Sequence, residues 1–553
     1  MKRIPIGISD FKEIINENYY YVDKSLFIKE IIEDGSKVVL IPRPRRFGKT
    51  LNMSMLKYFY EKKDENNNSL FKDLKINEDK EIMDMQGKYP VIYITFKDIK
   101  YSKWEDCTEG LKLLIRDEFM KHKYLLEGDT LEENEKIGFR NILSGEAKNV
   151  EFLSGLKSLS KYLYRVHKQK VVILIDEYDV PIQSGYLSDY YDEIIEFMRI
   201  FLSSGLKDNE YLEKGVLTGI LRIARESIFS GLNNLKVSTI LSNHYSQSFG
   251  FLEDEVEELL KYYGIEFEMN EIKSWYNGYI FGQNVIYNPW SILNYLDNHV
   301  EGCKPYWVNT SSNDLVKMVL TKSGEYVKKE LEDLIKGKSI RKRINEDIVM
   351  RDIDKGAENV WSFLLFSGYL KVLKKEYEQG ELFCSLIIPN TEVLYLYRQI
   401  IMSWFKESIN NDKFNLMLRS LTTGDIETFE EILSEYLMKS ASYFDIDESE
   451  QFYHAFVLGI LVALSEAYEV KSNRESGYGR YDIMMIPKDK EKLGIVIEFK
   501  KVSKRRKETL ETAVEKALKQ IKEKNYKQEL LDRGVKNIIE LGIAFEGKEV
   551  LVK

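Results

Sequence analysis

Residues 38–56 read VVLIPRPRRFGKTLNMSML. The apolar run Val38 to Ile41 predicts a short buried strand, and the stretch after Thr50 predicts a helix. Between them lie Pro42, Arg43, Pro44, Arg45, Arg46 and Phe47, then Gly48, Lys49 and Thr50. Strand, loop, G-K-T and helix is the context in which backbone N–H groups and a helix N-terminus cradle an anion. Lys49 would reach the β/γ-phosphates of a nucleotide, and the Thr50 hydroxyl would hold Mg²⁺. The usual spacing is G-x-x-x-x-G-K-[ST], and Arg43 stands where the first glycine is expected. Arg43, Arg45 and Arg46 would add positive charge around the phosphates. A basic loop that merely caps a helix is the competing reading.

Outward from this stretch, strand and helix alternate. PVIYITF (90–96) and VVILI (171–175) predict further strands, as does GVLTGI (215–220). Residues 103–125, 151–168 and 189–205 have helical patterns, and 127–149 reads as acidic and irregular. Continuous apolar strands separated by helices predict a parallel sheet covered on both faces. The strand at 171–175 ends in Asp176 and Glu177. Phosphoryl transfer depends on positioning and charge stabilisation. Asp176 would orient Mg²⁺ through water and Glu177 would polarise an attacking water. Acidic residues also simply end strands, so the pair gains meaning only beside Lys49 and Thr50. Thr218, Arg222 and Arg225 lie where they could approach a γ-phosphate, although a surface arginine is the commoner outcome.

The chain has 553 residues, enough for about three to four domains. A net charge of −9 excludes a generally basic nucleic-acid binder but not a local basic groove. Cys107, Cys303 and Cys384 lie far apart and make no metal-ligand pattern, which fits a reducing compartment. The first residues, MKRIPIGISDFKEI, lack the apolar core of a signal peptide, and Phe456 to Leu464 is too short to span a bilayer. A cytoplasmic protein with no membrane partner is expected. Residues 250–440 read as mainly helical, with a winged-helix-like module among the options. The aromatic segments WYNGYIFG (275–282), YNPWSIL (287–293) and YWVNTSSNDL (306–315) read as packing.

The last 110 or so residues carry a second constellation. Asp482 lies in GYGRYDIMMIP, and Glu498 and Lys500 lie in GIVIEFK. Residues two apart on a strand share a face, so Glu498 and Lys500 point together and Phe499 points away. Asp482 on the neighbouring hairpin strand can project beside them. Two carboxylates make a hard oxygen site suited to Mg²⁺. Lys500 could position or activate a water for attack on a phosphodiester. The basic run KKVSKRRK (500–507) follows, where phosphate contacts would help. Then come a helix over about 508–524 carrying Gln520 and a last strand, Asn537 to Phe545. An ordinary ion pair between Glu498 and Lys500 is the bland alternative.

Taken in order, RPRRFGKTLNMSML, IDEYDVPI, SIFSGLNNL, WYNGY, YNPWS, GYGRYD, IEFK and ALKQIKEKNY resemble a bacterial AAA-ATPase-like family whose members carry a C-terminal PD-(D/E)XK nuclease domain. The resemblance covers nearly the whole chain. It implies an α/β architecture with a P-loop sheet domain over 1–245, a mainly helical coupling region over 246–440 and a nuclease-like domain over 441–553. It also implies that the R-P-R-R-F-G-K-T loop is the family's own P-loop. The implied nucleotide residues are Gly48, Lys49, Thr50, Asp176 and Glu177; Arg43 and Arg46 join them through the charge they would add around the phosphates. The implied nuclease residues are Asp482, Glu498, Lys500 and Gln520, with Tyr526 and Glu450 nearby; His454 on the same first helix reads more as a packed core residue than as a site residue. The expected cofactors are ATP and Mg²⁺, and the expected partner is nucleic acid, DNA foremost, with room for a homo-oligomer. ATP state would then control Mg²⁺-dependent cleavage, in a defence or mobile-element setting among others. The alternative is an ATP-dependent switch or scaffold whose nuclease-like domain only binds.

Overall fold

The computed structural model describes residues 1–63, 67–222, 234–265, 269–308, 313–322, 325–335, 337–347, 350–353, 357–406, 411–440, 457, 461, 464, 467–476, 479–502, 508–547 and 549–553. Arg225, Glu450, His454 and the basic run from 503 to 507 lie outside these. The chain forms two compact units, Met1–Leu394 and Tyr395–Lys553. The stretch 246–440, expected as one coupling region, is divided between them.

The first unit is built on a five-stranded sheet. Its strands are β1 (Val38–Pro42), β2 (Val91–Thr95), β3 (Val171–Asp176), β4 (Leu212–Gly219) and β5 (Leu235–Val237), in the order β2-β3-β4-β1-β5. All adjacent pairs are parallel. β1 and β3 are buried at every position, as unbroken apolar runs require when helices cover both faces. The helix Lys49–Tyr60 follows β1 directly. One expectation is corrected. Residues 133–144 of the acidic stretch form a helix, because the Glu135 side chain accepts from the Glu132 N–H at 3.1 Å at the helix start and Phe139 and Ile142 bury one face.

Beyond residue 245 the same unit continues. Its helices Glu253–Tyr262, Met269–Tyr276 and Pro289–Asp297 share a core in which Val256, Leu259, Ile272, Tyr276 and Ile292 are buried. Between the last two helices is a short hairpin, β6 (Tyr279–Phe281) and β7 (Asn284–Ile286). Farther on, β8 (Ile340–Arg343), β9 (Lys371–Glu378) and β10 (Glu381–Ile387) form an antiparallel sheet in the order β8-β10-β9.

The second unit has a mixed sheet of β11 (Tyr468–Ser476), β12 (Gly479–Pro487), β13 (Gly494–Lys501), β14 (Ile538–Glu546) and β15 (Glu549–Val552), in that order. Only the β13–β14 pair is parallel. The sequence reading had one closing strand, and the structure adds β15. Side chains alternate across this sheet as the pleat demands. Ile483, Met485, Ile495, Ile497 and Phe499 face a core shared with Phe414, Leu421, Phe429 and Leu433 of the helices Asn411–Thr423 and Ile426–Ser440. Met484, Ile486 and Val496 face the opposite way, toward Ile521 of the helix Leu510–Lys524. Among the described residues no helix is long and apolar enough to cross a membrane.

Candidate nucleotide and nuclease sites

In the first unit the end of β1, the start of the Lys49–Tyr60 helix and the end of β3 converge. Gly48 sits at the helix N-cap with φ 84°, a left-handed conformation that glycine adopts without strain. The loop brings Thr50 to Asp176. The Thr50 hydroxyl donates to Asp176 Oδ2 at 2.7 Å, Thr95 donates to the same oxygen at 3.3 Å, and Thr218 donates to Oδ1 at 2.6 Å. Asp176 is fully buried, and burial pushes its carboxyl above the usual range while the Thr218 and Thr50 hydroxyls pull it back. Thr218 therefore sits behind the carboxylate, on β4, and orients it.

Lys49 is 4 % exposed, and its ammonium donates to the carbonyls of Arg43 and Pro44 at 3.2 and 3.1 Å. Burial lowers its pKa, while Glu177, Asp176 and Asp179 oppose that fall. A cleft of about 700 Å³ opens over the loop, lined by Arg45, Arg46, Gly48, Lys49, Thr50 and Glu177. Glu177 has φ 52°, a left-handed conformation unusual outside glycine. The cleft's far wall comes from the N-terminal segment, with Pro5, Ile8, Tyr20 and Val22.

The structure does not bring the Arg43 side chain to this cleft. Arg43 is fully buried, and its guanidinium donates to the carbonyls of Pro42, Ser238, His244 and Tyr245 at 2.8, 2.7, 3.4 and 3.3 Å. Its head lies over the rings of Phe249 and Phe281 at 5.3 and 5.2 Å. Burial lowers its pKa to about 9. The residue at the first-glycine position thus ties the loop to the segment after β5. Arg46 differs: it lines the cleft with its guanidinium 4.1 Å from the Trp290 ring centre. Arg45 donates to Gln183 Oε1 at 3.1 Å, and Arg222 pairs with Asp347 at 3.0 Å.

Sequence reasoning missed Asp179, Gln183 and Trp290, which also line the cleft. Asp179 Oδ2 accepts from Gln183 Nε2 and from the N–H groups of Ile220 and Leu221 at 3.0, 2.9 and 3.1 Å. Gly219 allows this close approach, since a Cβ there would lie 2.7 Å from Asp179 Oδ1. The spacing of Asp176 and Asp179 in IDEYD was the available signal. Trp290 carried none, because an aromatic in a Gly- and Asn-rich stretch reads as packing.

In the second unit the expected residues meet on one face of the sheet. β12 and β13 pair Ile483 with Ile497, which puts Asp482 opposite Glu498. Asp482 Oδ2 accepts from the Phe499 N–H at 2.8 Å. Glu498 Oε1 accepts from Lys500 Nζ at 2.9 Å and from Gln520 Nε2, and Gln520 also donates to the Tyr526 hydroxyl at 3.3 Å. Glu498 is 2 % exposed. Its other oxygen, Oε2, is buried and meets no hydrogen-bond donor among the described residues. Burial first, and the neighbouring Asp482 charge second, push the Glu498 carboxyl up to about 7. An orphaned buried carboxylate oxygen beside a second carboxylate is a donor set that fits a hard divalent cation. Among the described residues no group of three or more His, Cys, Asp or Glu side chains forms a metal cage. Mg²⁺ commonly keeps waters or phosphate oxygens in its remaining positions.

Comparison with known proteins divides the chain along these two sites. Residues 5–229 match the family described as Predicted AAA-ATPase. Residues 448–553 match the PD-(D/E)XK nuclease superfamily. An Azotobacter chroococcum mcd 1 protein, "Uncharacterized protein in vnfD 5'region", is 25 % identical over 559 aligned residues, covering 98 % of this chain and 96 % of the relative. The chain therefore joins a predicted AAA-ATPase domain to a domain of the PD-(D/E)XK nuclease superfamily.

Proposed function

We propose that this protein binds and hydrolyses ATP with Mg²⁺, and that nucleotide state controls Mg²⁺-dependent cleavage of phosphodiester bonds, DNA foremost. The observation that carries the nuclease half is the buried Oε2 of Glu498, opposite Asp482, which meets no donor among the described residues. Asp482 and Glu498 would hold Mg²⁺, which when bound polarises the phosphate and stabilises developing negative charge. Lys500, held by Glu498 Oε1, orients a water toward the phosphorus. Gln520 fixes Glu498 from the covering helix, and Tyr526 fixes Gln520. The hydrogen bond between Thr50 and Asp176 supports the nucleotide half. In that reading Lys49 leaves its carbonyl partners for the β/γ-phosphates, Thr50 and Asp176 hold Mg²⁺, and Glu177 polarises the attacking water. The apolar wall of Pro5, Ile8, Tyr20 and Val22 suits a base. The middle elements, β8, a helix, and the β9–β10 hairpin, have the order of a winged-helix-like module and would carry the coupling.

The test is cleavage of plasmid, linear and single-stranded substrates with Mg²⁺, with and without ATP. Lys500→Ala should reduce cleavage by about a hundred- to a thousandfold and leave ATP hydrolysis intact. Lys49→Ala should abolish ATP hydrolysis and remove the ATP dependence of cleavage. No cleavage by the wild-type protein on any substrate would sink the nuclease half. Nucleic-acid binding that Asp482→Ala leaves unchanged, without cleavage, would favour a switch or scaffold.

A further inference from the structure

The cleft over the phosphate loop has a wall that does not come from the parallel sheet. Pro289, Trp290 and Leu293, at the start of the Pro289–Asp297 helix, line it. Asn288 fixes that helix start, its side-chain oxygen accepting from the Trp290 N–H at 2.9 Å. The Trp290 indole faces the Arg46 guanidinium at 4.1 Å, a cation–π distance. Its own Nε1–H is shielded from water and meets no acceptor among the described residues. Arg46 is held in a left-handed backbone conformation, φ 68°, which a non-glycine residue keeps only when its surroundings enforce it. The next residue supplies that enforcement. The Phe47 carbonyl accepts from the Gly250 N–H at 3.1 Å, and the Phe47 ring packs against Tyr279 and Phe281 at 4.9 and 5.3 Å. Burial lowers the Arg46 pKa, while the Glu177 charge across the cleft opposes that fall.

Resting on the nucleotide reading above, we infer that Trp290 is a positioning residue of the nucleotide site. Its indole face holds the Arg46 guanidinium at the phosphate end of the cleft. Arg46 is the ligand-touching partner. Its charge favours a triphosphate over a diphosphate, because the extra phosphate brings more negative charge to that end. The segment from Gly250 to Leu293 is then part of the nucleotide site, and nucleotide state acts directly on residues beyond the sheet.

The experiment measures Mg²⁺-ATP and Mg²⁺-ADP binding to the full-length protein and its variants by calorimetry, with Lys49→Ala as control. Trp290→Ala should weaken ATP binding about tenfold and ADP binding far less. Arg46→Ala should do the same, and the double variant should add little, because the two side chains act as one unit. Trp290→Phe keeps a smaller aromatic face toward Arg46 and should recover part of the loss. Equal ATP and ADP losses for Trp290→Ala, or additive losses in the double variant, would overturn the assignment and make Trp290 a packing residue. Wild-type ATP affinity in both single variants, with binding lost in Lys49→Ala, would overturn it while leaving the nucleotide reading intact. No nucleotide binding by the wild-type protein would overturn both.

Discussion

Asp176 and Glu498 are both buried carboxylates on interior strands, yet Asp176 accepts hydrogen bonds at both oxygens and Glu498 at only one. The pattern extends around each residue. Near Asp176, Lys49 has two carbonyls and Arg43 has four. Near Glu498, a lysine and a glutamine converge on Oε1 while Oε2 is left short. A satisfied buried polar group costs little, whereas an orphaned one carries its full desolvation penalty. Asp176 is thus satisfied at both oxygens, although Asp179 Oδ1 and the Trp290 Nε1–H in the same cleft meet no partner among the described residues. Glu498 keeps an uncompensated oxygen that a bound cation would relieve.

Arg43 gives the largest expected effect on that contrast. Arg43→Ala strips partners from buried carbonyls and leaves a cavity beneath Phe249 and Phe281. Loss of about 4 kcal/mol of stability is expected, read as a lower denaturant midpoint for the first unit. Arg43→Lys should not restore it, because a single ammonium cannot match a planar fork spread over four carbonyls. A midpoint unchanged in Arg43→Ala would mean that the network does not hold the loop.

Glu498 offers the next effect, with the opposite sign. Its folded pKa of about 7 lies above the unfolded value of 4.5. The folded state therefore binds the extra proton between those values, and metal-free stability falls as pH rises through that window. The full cost, on the order of 3 kcal/mol, is reached above pH 7. Glu498→Gln removes the titration. In chelator the variant should melt higher than wild type at pH 8 and alike near pH 5, while losing cleavage. Wild-type cleavage should rise with pH through about 7, as Glu498 releases its proton to bind metal. A variant that melts lower than wild type at pH 8 would show that Oε2 is not under strain.

These two residues also mark where sequence was sufficient and where it was not. Asp482, Glu498 and Lys500 lie on one face because a strand alternates strictly, and that parity is visible in GIVIEFK. Lys49, Thr50 and Asp176 were legible because unbroken apolar runs flank them. Arg43 was misleading because its partners, Ser238 and Tyr245, lie 195 and 202 residues away in the chain. A positively charged residue in a phosphate loop reads as a ligand until the fold shows what encloses it. Trp290 failed for the same reason, since it reaches the loop through a fold in which Gly250, Tyr279 and Phe281 pack on Phe47. The helix Glu133–Ser144 was hidden by surface acidity, although its capping pair was present locally.

Thr218 gives the smallest effect and the most direct test of the contrast. Its hydroxyl is the donor to Asp176 Oδ1, and it is fully buried on β4. Thr218→Val keeps the shape and deletes that donor, creating at Asp176 the orphan that Glu498 already has. A cost of about 1–2 kcal/mol is expected from the unsatisfied oxygen. The Asp176 carboxyl, already raised by burial, should rise further because a hydrogen bond favouring its charged form is gone. ATP hydrolysis should then fall most at low pH and recover as pH increases, whereas wild type changes less over the same range. Thr218→Ser restores the donor and should restore the profile. If Thr218→Val lowers hydrolysis equally at every pH, the threonine acts on the ligand or on packing, and Asp176 does not depend on its hydroxyl for charge.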